Sequence, residues 1–557
     1  MTQSQTPAIY FHPDAVEGEG KDLVGRRSAG QSFLKGFLRH SPGPTVHAVT
    51  DGPNGAKAFR DAAAALGETR PIKVGMLCDG SDFTGPGTVF FPAPGYRNAA
   101  WLRQRFGNAS CSLVGITHTV STRRVIEGLH NLMIEPVEEW DALICTSHAV
   151  KSVVAKQFAL EAEFMRQRFG ATRVPLPQLP VIPLGIETDD FAPLPGARDR
   201  MRADQQTPDD AVVVMTMGRL SVVEKANPLP LFLALEEVAQ RAGKPVHLWM
   251  VGWASRPEEE ALHRDGAAKL CPSVNARIID GRSADIRRNI WAGADIFTLP
   301  ADSIQETFGL VPVEAMAAGL PVVMPDWDGF RDTVAHGQSG MLIPTRMAPP
   351  GAGELMARRF ADSRDAYLNF LTLVQSHIQI DVRAYVQALA ALVADAGLRK
   401  RLGDGAVRHA RARFDWAAVI PQYLSLADEL AQRRKGAVPS TPRLASGPIS
   451  PLEVDPFDLY AAYPTTLVSG GTVVTLRKMP TAELLILHDQ ISGRQLYRRT
   501  AHPVELGLRG ANILAELGPM TLAALAEKLG ATGRQTVAMV MTMAKSDIFT
   551  LTDPPKV

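Results

Sequence analysis

The sequence predicts an α/β protein of two Rossmann-like lobes facing a cleft, followed by a small α+β domain of winged-helix-like outline. Three observations predict it. Short apolar, β-branched runs alternate with longer helical patterns along the first part of the chain, a second series of the same kind follows, and a Pro- and Ser-rich stretch then separates three short helical patterns near the end.

The chain has 557 residues, and at roughly 150 residues per domain it calls for three or four units rather than one core. Apolar residues make up 45% and charged residues 21%, which supplies sizeable cores and excludes wholesale disorder. Lys and Arg number 59 against 58 Asp and Glu, so the net field gives no reason to expect nucleic acid or an anionic surface as the main partner. Cys78, Cys111, Cys145 and Cys271 are widely spaced and form no CxxC pair. Neither a zinc site nor a disulfide framework follows, and a reducing cytoplasm is the simplest compartment. The opening MTQSQTPAIYFHPDA has no basic-then-apolar pattern, and no run approaches the roughly 20 apolar residues that span a bilayer. LRQRF, STRRV and FMRQRFGATR mix basic and apolar residues, which leaves peripheral membrane contact open.

Taken in order, AIYF, IKVGML, LVGITH, ALICTS and LPVIPLG read as strands, with AGQSFLKGFLRH and AVKSVVAKQFALEAEFMRQRF as helices between them. This gives a first lobe over 1–195, on the acceptor side, with a parallel sheet covered by helices. Pro193, Pro195 and Gly196 break the pattern and mark a hinge. AVVVMTMG, VHLWMVG, ARIID, DIFTLP, PVVMPD and MLIP repeat the scheme in a second lobe over 196–435, on the donor side, closed by the helical stretch ELMARRF to LAQRR. Residues 436–456 form a Pro- and Ser-rich tether. Residues 457–557 carry the helical patterns ANILAELG, TLAALAEKLG and GRQTVAMVMTMAKS and the strand-like IFTLT.

The stretch DIFTLPADSIQETFGLVPVEAMAAGLPVVMPD is the most informative. It reads as strand, polar loop, a short helix stopped by Gly319, and strand, and a ligand at the strands' carboxyl ends meets that loop. Free amides of Thr307, Phe308, Gly309 and Leu310 lie where the helix begins, with Pro312 tolerated in its first turn, a favourable place for a diphosphate. Glu306 precedes them and Glu314 lies among Val313, Ala315 and Met316, where a buried carboxylate needs partners such as sugar or ribose hydroxyls. The competing account is that both carboxylates merely favour the positive end of the helix. Gly18, Gly20, Gly25 and Gly30 after the first strand permit close approach to a phosphate or acceptor, and Arg26 and Arg27 are weaker candidates for an anion.

ETFGLVPVEAMAAGLPVV resembles the E-x7-E signature of family 4 glycosyltransferases, and VVVMTMGRLSVVEKANP resembles that family's strand, Gly-Arg and Lys element. The resemblance covers most of residues 1 to 430 and ends at FDWAAVIPQYLSLADEL. It departs from the family where Arg219 and Lys225 stand one residue further apart, where Ala226 replaces a common Gly, and where DSIQ lengthens the loop before Glu306.

That resemblance implies the GT-B fold and a retaining, hexosyltransferase-like enzyme that takes a UDP-, GDP- or ADP-linked sugar and passes the sugar to a glycan, lipid-linked or protein acceptor. Arg219, Lys225 and the 307–310 amides would hold the diphosphate, Glu314 the ribose, and Glu306 and His118 the sugar. Gly329 and Asp332, in DWDGFRDTVAHGQSG, match the family's next turn. Arg and Lys can stabilise a departing diphosphate without a metal, so neither a divalent ion nor a cofactor is expected. A second hypothesis makes the chain a sugar-nucleotide-sensing regulator that uses 457–557 for DNA or protein binding. GRQTVAMVMTMAKS carries only Arg534 and Lys545, which favours a protein partner or self-association over nucleic acid.

Overall fold

The computed structural model describes residues 6–12, 25–79, 83–96, 98–441, 450–493, 496 and 504–552, with the side chains of 25–29 outside that description. Residues 1–449 form one compact unit and 450–557 another.

The first unit holds two parallel six-stranded sheets. In the first lobe the strands are β1 (Ala8–Tyr10), β2 (Val46–Thr50), β3 (Ile72–Met76), β4 (Thr88–Phe90), β5 (Ser112–Ile116) and β6 (Ala142–Ile144). Their order is β3-β2-β1-β4-β5-β6. In the second lobe β7 (Val212–Met217), β8 (Val246–Gly252), β9 (Asn275–Asp280), β10 (Ile296–Thr298), β11 (Val322–Pro325) and β12 (Gly340–Ile343) lie in the order β12-β11-β10-β7-β8-β9. The two-lobed GT-B arrangement expected from the sequence is present. Each sheet reverses strand order once, between β1 and β4 and between β7 and β10, and the carboxyl ends at such a reversal are where ligands of open α/β sheets bind.

Buried runs explain the strand positions. All seven residues of β8 and all five of β5 are buried, as central parallel strands covered on both faces must be. The edge strand β9 is partly exposed. Two differences from the sequence expectation stand out in the first lobe. The short strands β2 and β4 were not anticipated, whereas LPVIPLG forms no strand: only Val181 bridges to Cys145, just past β6, after Gln178 has bridged to Ala142. Pro177, Pro180 and Pro183 lack the N–H groups that a ladder strand requires.

The closing helices also divide differently. The helix Trp416–Arg434 was expected to close the second lobe, but Trp416, Val419, Ile420, Tyr423 and Leu430 join Ile9, Phe37 and Ile144 in a core of the first. Gly36 and Gly185 allow this, because a Cβ on either would lie 2.3 Å or 2.5 Å from the Trp416 ring. The helix therefore ties the lobes together across the hinge. Within LRQRF, Arg103 is fully buried and donates to both Asp141 oxygens, at 2.6 and 2.8 Å, whereas Arg105 and Phe106 are exposed.

Between β12 and the helix Val382–Ala394 the chain makes an antiparallel ribbon, β13 (Thr345–Met347) and β14 (Ile378–Ile380), enclosing the helices Glu354–Ala361 and Tyr367–Gln375.

In the second unit β15 (Val473–Leu476) pairs antiparallel with β16 (Met520–Thr521) and β17 (Phe549–Thr552). The helices Val504–Leu517, Leu522–Leu529 and Gly533–Lys545 stand where the sequence places them. Leu514, Leu525, Met539 and Phe549 share its core. This unit begins at Ser450, inside the stretch assigned to the tether.

Candidate functional site

The loops leaving β7 and β10, the two strands at the second sheet's reversal, carry Arg219 with Lys225 and Glu306 respectively. The helix Leu310–Ala317 starts from Gly309, whose φ is +86°. Left-handed backbone favours glycine there, and space demands it as well, since a Cβ would sit 2.3 Å from the Phe330 ring. Gly309 thus turns the chain so that amides at the helix N-terminus are presented to the cleft.

Lys225 Nζ donates to Glu306 Oε2 at 3.3 Å, and the Thr307 amide donates to Oε1 at 3.2 Å. Burial pushes the Glu306 carboxyl up, but the Lys225 charge and the amides of Thr307 and Phe308 outweigh it and hold the group below its ordinary value. Glu306 is therefore an anion in the resting site. Glu314, partly buried on the adjoining helix, behaves oppositely: burial raises its carboxyl to about 7 against the pull of Lys225. Arg219 donates to Glu224 Oε2 at 3.2 Å. Both cations expected at a diphosphate are present and partly exposed, each held by a carboxylate that an incoming phosphate would replace.

The first lobe meets this loop directly. Thr307 Oγ1 donates to the His118 carbonyl oxygen at 3.0 Å, and Thr146 Oγ1 donates to the Thr307 carbonyl at 3.5 Å. His118 follows β5, as expected, and its Nε2 lies 3.2 Å from the Pro92 carbonyl oxygen. Asp332 accepts from the His148 amide at 2.6 Å and pairs with its Nδ1 at 3.0 Å. That residue binds the lobes together at the start of the helix His148–Phe169, where a negative charge is favoured. Gly329 approaches protein backbone: a Cβ there would be 2.4 Å from Phe308 Cα.

Gly25, Arg26 and Arg27 open the helix Gly25–His40, but the side chains of Arg26 and Arg27 lie outside the described residues, as do Gly18 and Gly20 altogether. Gly30 lines an apolar cavity of the first lobe.

Residues 211–358 match the family model described as glycosyl transferases group 1. That group 1 segment contains Arg219, Lys225, Glu306 and Glu314. The chain is 28% identical over 347 residues to a D-inositol 3-phosphate glycosyltransferase of Stackebrandtia nassauensis, covering 60% of this chain and 66% of that one. It is 30% identical over 235 residues to the protein of the same description from Corynebacterium efficiens, covering 42% and 46%. The chain thus spans about half to two thirds of the length of these curated relatives. A solved glycosyltransferase from Rickettsia africae shares the fold with a TM-score of 0.51 at 13% identity, over 76% of this chain and 98% of that one.

Several residues around the group 1 segment escaped the sequence analysis. A cavity of about 420 Å³ between the lobes is walled by Val120, Val150 and Val153 on one side and by Ile304, Glu306 and Asp328 on the other. Asp328 has φ +45°, uncommon outside glycine, and burial with the nearby Glu306 charge raises its carboxyl well above the ordinary range. Tyr367 OH lies 2.7 Å from Ser121 Oγ of the first lobe and donates to Gln305 Oε1 at 3.1 Å. Asp302, buried and raised to about 6 by burial, accepts from Gln375 Nε2 at 2.7 Å. The lengthened DSIQ loop is thereby anchored by the 345–380 ribbon. The positive φ of Asp328 could have been suspected from the turn-like sequence DWDG, whereas nothing local marks Tyr367.

Proposed function

We propose that this chain is a retaining glycosyltransferase that moves a sugar from a nucleotide-sugar donor to an acceptor, without a divalent metal. The observation that supports it most is the Lys225–Glu306 pair at the amino end of the helix Leu310–Ala317, with the His118 backbone bonded to the same loop. A diphosphate would replace Glu306 on Lys225 and Glu224 on Arg219, and the 307–310 amides would donate to its remaining oxygens. As the leaving group separates, the developing charge falls on these preorganised donors.

Released from Lys225, Glu306 faces the interlobe cavity, whose volume lies within the range of small-ligand pockets. There it orients the sugar and Glu314 accepts from the ribose, while His118, whose ring lines the apolar cavity of the first lobe, approaches from that lobe. Retention follows from front-face attack, in which the leaving phosphate takes the acceptor proton. The family 4 reading adds the donor class, with the nucleobase and acceptor to be found by assay. None of the helices among the described residues is long and apolar enough to cross a membrane. The second unit, winged-helix-like in outline, is assigned to protein docking or self-association.

The test is a panel of UDP-, GDP- and ADP-sugars scored by thermal shift and by nucleotide release, since a bound donor raises the melting temperature by mass action. Glu306→Ala is expected to abolish transfer while nucleotide binding stays measurable, and Arg219→Ala to weaken both. Full transfer by purified Glu306→Ala protein would sink the assignment.

A further inference from the structure

A cavity of about 60 Å³ lies at the carboxyl edge of the first sheet, bounded by Phe33, Ile116, Ile144, Trp416 and Tyr423, with His118 in its wall. Among the described residues its other walls are aliphatic, aromatic or glycine. Most polar atoms around it are already engaged. Tyr10 OH donates to Asp51 Oδ2 at 2.8 Å, and Trp416 Nε1 donates to Ser32 Oγ at 2.9 Å. Tyr423 differs: it is 2% exposed and its hydroxyl has no hydrogen-bond partner among the described residues.

An unsatisfied buried hydroxyl is costly, and native structures rarely leave one without a reason. Water is a poor occupant, because a buried water needs two to four polar partners and a wall of hydrocarbon supplies too few. A charged or sugar-like group is excluded by the same deficit. The volume is several times the roughly 10–15 Å³ that holds one water and well below the roughly 150 Å³ of a cavity that takes benzene. A ring is therefore too large, whereas the end of an aliphatic chain fits.

We propose that this cavity receives a short aliphatic segment of the acceptor bearing an oxygen that pairs with the Tyr423 hydroxyl, so that the hydroxyl to be glycosylated lies beside His118. The inference rests on the transferase reading, which supplies the reason for an acceptor at His118. The segment can belong to a free alcohol or to a lipid, and the two sources share this chemistry.

The probe is 3-bromopropan-1-ol, which has three carbons, a hydroxyl and a heavy atom that quenches tryptophan fluorescence. With the full chain, saturable quenching is expected that disappears in Trp416→Phe. Ile144→Phe, which fills the cavity, should abolish it. Tyr423→Phe keeps the shape, removes the hydroxyl, and should weaken binding about 3- to 10-fold. Should Ile144→Phe fail to fold, Tyr423→Phe decides alone. Phosphatidylcholine vesicles with brominated acyl chains form the second arm: quenching there assigns the segment to a lipid, and quenching by the free alcohol alone assigns it to a soluble acceptor. Absence of saturable quenching by the alcohol, or equal affinity in Tyr423→Phe, overturns the proposal. Thermal shift with UDP, GDP and ADP on the same preparations reports the transferase reading separately, so the two can fail independently.

Discussion

Replacing Lys225 with Met removes the charge facing Glu306 while keeping a side chain of similar length. At 3.3 Å the attraction between the two charges is about 5 kcal/mol at an effective dielectric of about 20 and about 1 kcal/mol in water. Glu306 is 14% exposed and Lys225 30% exposed, so the site lies between these limits. A loss of about 2–4 kcal/mol is expected, much of it the penalty of a carboxylate left buried without a counter-charge. The pair's contribution should depend on pH in one direction. The folded Glu306 carboxyl titrates below its ordinary 4.5, so its stabilisation is complete above that value and is lost as pH falls through the folded value. The assay is a double-mutant cycle of wild type, Lys225→Met, Glu306→Gln and the double variant, following the cooperative transition of the two-lobed unit by calorimetry from pH 7 to pH 3.5. A coupling of at least 1 kcal/mol at pH 7, shrinking towards pH 3.5, is expected. Effects that simply add at pH 7, or a coupling independent of pH, would refute the electrostatic account of the resting site.

Three other outcomes follow from the same geometry. Because burial raises Glu314 to about 7, its contribution is most favourable below pH 4.5 and is lost as pH rises through 7. Glu314→Gln should accordingly be more stable than wild type at pH 8, by up to about 3 kcal/mol, and indistinguishable below pH 4.5 in thermal melts. Gly329→Ala would place a Cβ 2.4 Å from Phe308 Cα and 2.5 Å from the Thr307 carbonyl oxygen. Displacement of the Glu306 loop, a cost of about 1–3 kcal/mol and weaker nucleotide binding by calorimetric titration are expected, and unchanged binding would contradict the packing. Tyr367→Phe deletes the hydroxyl that joins Ser121 to Gln305 while its ring still meets Phe360. Its donor KM should rise about 3- to 30-fold, and a KM equal to wild type would show that the contact does not stabilise the closed cleft.

Much of the fold was legible because its cause is local. The central strands of the second sheet are largely apolar runs bounded by turn residues, and central parallel strands demand that composition. The first lobe was harder to read. Thr88–Phe90 is three residues long, too short for any period, and LPVIPLG looked like a strand on hydrophobicity although its prolines withhold ladder donors. The helix Trp416–Arg434 was recognised as a helix, but its allegiance to the first lobe depends on Gly36 and Gly185 making room for Trp416.

The candidate site divides in the same way. The loop residues were legible in the sequence: Glu306, the amides after it and Gly309 stand out along one strand–loop–helix stretch, and Arg219 and Lys225 were marked by the family resemblance at one strand exit. Only the tertiary structure decided the partners. Lys225 meets Glu306 across 81 positions of sequence, Thr307 meets His118 across 189, and Tyr367 meets Ser121 across 246. The protonation contrast between Glu306 and Glu314 was equally hidden, because it depends on which carboxylate the single lysine touches and how far each is withdrawn from water. Backbone propensity and apolar periodicity act over a few residues, and a sequence displays them openly. The charge, burial and closure of a cleft arise from groups that approach one another only when two separately encoded lobes have folded.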